Sequence, residues 1–132
     1  MQKLSEEMGV SQQVIFLGKI GHNEIMNYFK AADLFILNSH YEGLSHTLLE
    51  VMKAGRPIIC SNIAANREVI ENNKNGLLVN YNDSPEIARA AIRILNDQAL
   101  AESLVIEAKE KLKIFSWDNT VKLTAEAIRE VI

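Results

Sequence analysis

The fold is decided by one continuous stretch, Leu34-Phe35-Ile36-Leu37-Asn38-Ser39-His40-Tyr41-Glu42-Gly43-Leu44-Ser45-His46-Thr47-Leu48-Leu49-Glu50-Val51-Met52-Lys53-Ala54-Gly55-Arg56-Pro57-Ile58-Ile59-Cys60. It opens on four apolar residues, Leu34 to Leu37, crosses a polar loop, and continues with helical periodicity from Thr47 to Ala54. Gly55 ends that helix, because glycine takes the left-handed conformation of a helix stop at least cost, and Pro57 follows two residues later. A second apolar run, Pro57 to Cys60, completes a strand, helix, strand unit. Neither run alternates with polar residues, which is the pattern of a parallel strand covered by helices on both faces. Pro57 stands at the start of its strand, where a missing N–H donor is tolerated.

Working outward, similar runs occur at Val14 to Leu17 and Leu77 to Val79, so the four starts, 14, 34, 57 and 77, lie 20, 23 and 20 residues apart. That spacing suits successive strands joined by crossover helices. In the first crossover Ile25, Met26 and Phe29 share a face behind an Asn23 cap. Between the third and fourth strands come a short helix, Asn66 to Ile70, and a polar turn, Asn72 to Gly76. Beyond Val79 the pattern is helical only. Ser84 as cap and Pro85 as first residue open a helix with Ile87, Ala88, Ala91, Ile92 and Leu95 on one face. Asp97 opens the next, striped by Leu100, Ala101, Leu104, Val105, Ala108 and Leu112. Ser116 caps a last helix carrying Trp117, Val121, Thr124, Ala125, Ile128 and Ile132 on one face. The sum is a doubly wound α/β domain with a parallel sheet and a helical tail. Gln2 to Met8 reads as the end of a helix stopped by Gly9, so the chain is expected to enter the fold part-way, its sheet short of a strand.

Composition narrows the function. The chain has 132 residues, one domain's length, and 48% of them are hydrophobic, which is enough for one core. Fourteen Lys and Arg stand against 17 Asp and Glu, a net charge of -3, which argues against a bulk electrostatic hold on nucleic acid or anionic lipid. The single cysteine, Cys60, excludes an internal disulfide and a thiolate metal cage. No apolar run nears the roughly 20 residues that cross a bilayer, and the start is not signal-like, so a cytoplasmic location is expected.

In an open parallel sheet, ligands bind beyond the carboxyl ends of the strands. Two loops there are candidates, Gly18-Lys19-Ile20-Gly21-His22 and Asn38 to Ser45. Gly43 lets a ligand approach the backbone, and free N–H groups at Leu44 to Thr47, together with the helix dipole, favour an anion such as phosphate. Glu42 is placed to accept hydrogen bonds from sugar hydroxyls. Glu50, about one and a half to two turns into the helix, is placed to reach a diol such as a ribose. The plainer alternative is a solvated loop acid and an exposed helix acid, and the physics of these residues alone favours it.

The order of motifs adds weight to the first reading. Glu42-Gly43, six residues, then Glu50, preceded by Leu37-Asn38-Ser39 and followed by Met52 and Ala54-Gly55-Arg56-Pro57-Ile58-Ile59, resembles the signature of the family-4-type retaining glycosyltransferases, the glycosyl transferases of group 1. Phe16-Leu17-Gly18, Ala32-Asp33-Leu34-Phe35, Glu68-Val69-Ile70, Asn75-Gly76-Leu77-Leu78-Val79 and Phe115-Ser116-Trp117 follow the same series in order. The resemblance implies a glycosyltransferase B-type fold, with residues 1–132 a single, partial, Rossmann-like donor-binding domain. The N-terminal acceptor domain, the first strand and helix, and the Arg and Lys that serve the donor phosphates would then precede Met1.

Carried over residue by residue, the resemblance implies that Glu42 is the catalytic-site acid touching the donor sugar. Gly43, Leu44, Ser45 and His46 would meet sugar and diphosphate through backbone N–H groups. Leu49 would pack near the ribose, Glu50 would bind its hydroxyls, and the Gly18 loop would border the base. The donor would be a UDP- or GDP-sugar, with no cofactor and no metal. The acceptor would be a glycan or lipid-linked sugar held by the N-terminal domain, and the whole enzyme would work in polysaccharide or glycoconjugate assembly, at the membrane periphery. The isolated chain is expected to be inactive or nearly so. Alternatives from other classes are a non-catalytic module that self-associates through its open sheet edge, and a sugar-nucleotide epimerase-like domain.

Other side chains have plainer readings. Cys60 is expected in the core. His22, His40 and His46 are expected on the ligand side, as surface polar residues at least as readily as acid-base groups. Glu68 is placed at the start of its short helix. Trp117 and Phe115 are expected in the core. Glu107, Lys109, Glu110, Lys111 and Lys113 read as a solvated helix face.

Overall fold

The computed structural model describes residues 1–43 and 45–131, without the side chains of Trp117, Asp118, Thr120, Glu130 and Val131. The elements run α1 (Gln2–Glu7), a 3₁₀ turn (Ser11–Gln13), α2 (His22–Ala31), β1 (Phe35–Leu37), α3 (His46–Ala54), β2 (Ile58–Ser61), α4 (Ala64–Val69), β3 (Leu77–Val79), α5 (Ser84–Asn96), α6 (Gln98–Leu112), a 3₁₀ turn (Lys113–Phe115) and α7 (Trp117–Val131). The three strands form one parallel sheet in the order β1-β2-β3, with Phe35 beside Ile58 and Ile59 beside Leu77.

β2 is the middle strand, and all four of its residues are buried. Its side chains alternate between two apolar clusters because successive strand residues point to opposite faces. Ile58 and Cys60 join Phe29 of α2, Leu48, Val51 and Met52 of α3, and Ala108 of α6. Ile59 joins Leu77 and Val79 of β3, Ala90 and Ile94 of α5, and Leu104 of α6. Phe29 meets Phe35 edge to face, with ring centroids 5.3 Å apart. Gly55 closes α3 at φ +72°, the left-handed stop foreseen in the sequence.

Several expectations are corrected. Val14 to Leu17 is not a strand: a strand needs a ladder partner, none of the described residues pairs with it, and Ile15 is 82% exposed. The sheet therefore has three strands rather than four. α2 begins at His22 with Gly21 in the cap position, so Asn23 lies inside the helix. Asp83, not Ser84, caps α5: its carboxylate accepts from the Glu86 N–H at 2.9 Å, and Pro85 becomes the second residue. Asp97 caps α6 as expected, accepting from the Leu100 N–H at 2.9 Å. Ser116 accepts from the Asn119 N–H at 3.2 Å at the start of α7. Along α7 the expected buried stripe is not seen, since Val121 and Ile128 stay exposed and the helix packs against the turn at Lys113–Phe115. The side chain of Trp117, and Ile132, lie outside the described residues.

The turn from Asn72 to Gly76 is present and protects an edge. Asn72 Oδ1 accepts from the Leu78 N–H at 2.9 Å, which occupies a donor on the outer side of β3. Asn75 is buried and ties the end of α4 to the turn, donating from Nδ2 to the Val69 carbonyl at 3.0 Å.

Candidate functional site

The loops that leave the carboxyl ends of the three strands converge. The Asn62 N–H donates to the Val79 carbonyl at 2.7 Å, and the Asn82 N–H donates to Asn38 Oδ1 at 3.0 Å. The His40 and Tyr81 rings lie with centroids 5.0 Å apart. The loop after β1 is thus held by the loop after β3, across the end of β2.

Glu42 is half-buried in this loop, and Ser39 Oγ donates to its Oε1 at 2.6 Å. Such a short O–H to carboxylate contact is typical of a charge-assisted hydrogen bond. Gly43 follows, and a Cβ added there would meet nothing within 4 Å, so its backbone faces open space. Ser45 is buried at the cap position of α3, yet among the described residues no side chain caps that helix. The N–H groups and positive dipole end at His46 and Thr47 therefore lack a side-chain acceptor, an arrangement suited to an anion.

Glu50 is the fifth residue of α3, little more than one turn from its start rather than one and a half to two. Its Oε1 lies 3.6 Å from Nε2 of His22, the first residue of α2. This contact brings the end of the Gly18 to Gly21 loop beside α3. Gly18 holds φ +64°, a conformation that side chains resist, so glycine is required at the bend.

A family model described as glycosyl transferases group 1 matches residues 1–111. The chain belongs to this family. Among curated relatives, an uncharacterized glycosyltransferase of Methanocaldococcus jannaschii is 31% identical over 130 residues, covering 98% of this chain and 33% of that protein. The C-terminal domain of a group 1 family glycosyl transferase from Francisella tularensis matches with TM-score 0.76 and 27% identity, over 85% of this chain and 58% of that one. An Anabaena protein, solved in complex with UDP-glucose, has the same fold at TM-score 0.83 and 21% identity, over 98% of this chain and 35% of that one. The chain spans about a third of the length of the curated relatives it matches. Its architecture is that of the glycosyltransferase B-type fold.

Set against this group 1 glycosyltransferase fold, the expected site residues fall into two groups. Glu42 and Gly43 lie in the loop after β1, and Ser45 and His46 are the cap and first residue of α3. Glu50 and the Gly18 loop meet through His22. Leu44 lies outside the described residues. Leu49 is half-buried and packs on the cluster of Leu48 and Met52. His46 is exposed.

Of the cations near the motif, Arg56 is engaged elsewhere and Lys53 stands in the last turn of α3, away from its start. Arg56 Nη2 donates to the Lys30 carbonyl, closing the C-terminal end of α2 at the amino end of the sheet, and Lys53 is exposed on α3. Cys60 is buried in the middle strand, and burial pushes its thiol up to about 12, which leaves it unreactive. Glu68 lies in the last turn of α4 rather than at its start. Lys111, read as part of a solvated face, instead pairs with Glu71 at 2.9 Å. Among the described residues no group of three or more His, Cys, Asp or Glu is gathered as metal ligands, and no helix is long and apolar enough to cross a membrane.

The sequence reading assigned no role to Ser39 or Ser61. The Ser39 N–H donates to Ser61 Oγ at 2.8 Å, and Ser61 Oγ donates to the Leu37 carbonyl at 3.2 Å. The one available signal was the position of Ser39 three residues ahead of Glu42, a spacing at which a hydroxyl in a turn reaches a following side chain.

Proposed function

We propose that this chain is the donor-binding part of a retaining, nucleotide-sugar-dependent glycosyltransferase of polysaccharide or glycoconjugate assembly. The observation that carries this reading is the Glu42-Gly43 loop ahead of α3, a helix that no side chain caps among the described residues, with Glu50 on the same helix beside His22 at the end of the Gly18 loop. The diphosphate would lie on the N–H groups at the start of α3, where the dipole favours negative charge. Glu50 would accept from the ribose hydroxyls and Glu42 from the sugar hydroxyls. Departure of the diphosphate leaves an oxocarbenium-like carbon, and oriented donors and acceptors lower that barrier more than a buried nucleophile would.

The donor is proposed to be a UDP- or GDP-sugar, used without a further cofactor. The Anabaena fold neighbour with UDP-glucose supports uridine nucleotides as the first probes. The acceptor is proposed to be a glycan or lipid-linked sugar bound by the part of the enzyme that this chain does not span. Calorimetric titration with UDP, GDP and their sugar conjugates, beside Glu50→Ala, tests the reading. Saturable binding by one nucleotide series, weakened about tenfold in the variant by loss of a carboxylate acceptor, is the expected result. A folded chain that binds none of them overturns the proposal.

A further inference from the structure

We infer that Ser39 is the positioning residue of Glu42, holding its carboxylate in one orientation through an anchor in the middle strand. The inference rests on the reading of Glu42 as the acid that meets the donor sugar. A glutamate in an open loop beside Gly43 would otherwise sample many rotamers, and fixing it on binding would cost affinity.

Ser39 Oγ donates its one proton to Glu42 Oε1 at 2.6 Å, which sets the direction of that bond. Ser39 is itself fixed, because its N–H donates to Ser61 Oγ at 2.8 Å. Ser61 is fully buried at the end of β2, donates to the Leu37 carbonyl at 3.2 Å, and through its own carbonyl accepts from Asn66 Nδ2 at 2.8 Å. The carboxylate is therefore tied through two serines to the most buried strand of the sheet. Oε1 is held, and Oε2, which has no partner among the described residues, is left to accept from a ligand hydroxyl.

Such an arrangement acts on the sugar and not on the nucleotide. Ser39 is thus expected to set the preference for a nucleotide-sugar over the bare nucleotide. The test is calorimetry with UDP and UDP-glucose, and in parallel GDP and GDP-mannose, on the wild-type chain, Ser39→Ala, Ser39→Thr, Glu42→Ala and the double variant Ser39→Ala/Glu42→Ala. Ser39→Ala is expected to weaken the nucleotide-sugar on the order of fivefold, the scale of one lost hydrogen bond, with the bare nucleotide unchanged. Ser39→Thr, which keeps the hydroxyl, is expected to restore it. In the Glu42→Ala background, Ser39→Ala is expected to add nothing, because its partner is gone.

An equal loss for nucleotide and nucleotide-sugar, no loss in Ser39→Ala, or a full additional loss without Glu42 overturns the inference while leaving donor binding intact. Failure of the wild-type chain to bind any of the four compounds overturns the donor reading itself, and the inference with it.

Discussion

Glu71 accepts hydrogen bonds from Lys74 and Lys111, both at 2.9 Å, and these ammonium groups hold its carboxyl down at about 2. The ordinary value is 4.5, so the folded chain binds this proton less readily than the unfolded chain does. The pairing therefore stabilises the fold above pH 4.5, and the contribution is lost as the pH falls from there through 2. Glu71→Gln is expected to lower the melting temperature modestly at pH 7, since the group is solvent-screened, and to converge with the wild type as the pH approaches 2. Parallel melting curves across that window would contradict the assignment. At this scale the sequence was legible for position, placing Glu42 in the loop after β1 and Glu50 on the helix that follows. Contacts such as Lys111 with Glu71, forty residues apart, and Ser39 with Ser61 depend on how loops and helices close on one another, which no local pattern encodes.

Among the elements, one close junction lies where the Asn72 to Gly76 turn enters β3. A Cβ at Gly76 would stand 3.0 Å from Ile70 Cγ2 and 3.1 Å from the Ile58 carbonyl oxygen. The carbonyl belongs to the central strand and cannot yield, so Gly76→Ala is expected to cost about 1–3 kcal/mol, the usual range for overpacking. A urea denaturation midpoint unchanged by the substitution would contradict this. Helix stops and starts were read from the sequence to within a residue or two. The shift at α5 arises because Asp83 and Ser84 are adjacent and both cap well, and only the Glu86 N–H decides between them. Val14 to Leu17 was misread for a deeper reason. Its apolar character is that of a strand, but a strand is made by its neighbour, and hydrophobicity does not announce whether a neighbour is present.

Over the whole molecule, the three parallel strands deliver their loops to one end of the sheet, and Glu42 and Glu50 are found on such a loop and on the helix that follows. The fold class was legible because both faces of β2 are buried and the apolar runs are unbroken. Two concavities lie away from the start of α3. One of about 300 Å³ lies beside β3 and α5, lined by Asn73, Glu86, Arg89 and Arg93. Another of about 610 Å³ lies at the amino end of the sheet, around Asp33, Arg56, Pro57 and Glu102. Where the nucleotide-sugar binds therefore decides whether the start of α3 is the donor site. Backbone amide shifts of the labelled chain, followed during titration with UDP-glucose and GDP-mannose, report it residue by residue. Saturable shifts concentrated at Gly43, Ser45, His46, Thr47 and the Gly18 to Gly21 loop are the expected result. Shifts gathered at Arg89 and Arg93, or around Asp33 and Arg56, with the start of α3 unmoved, would contradict it.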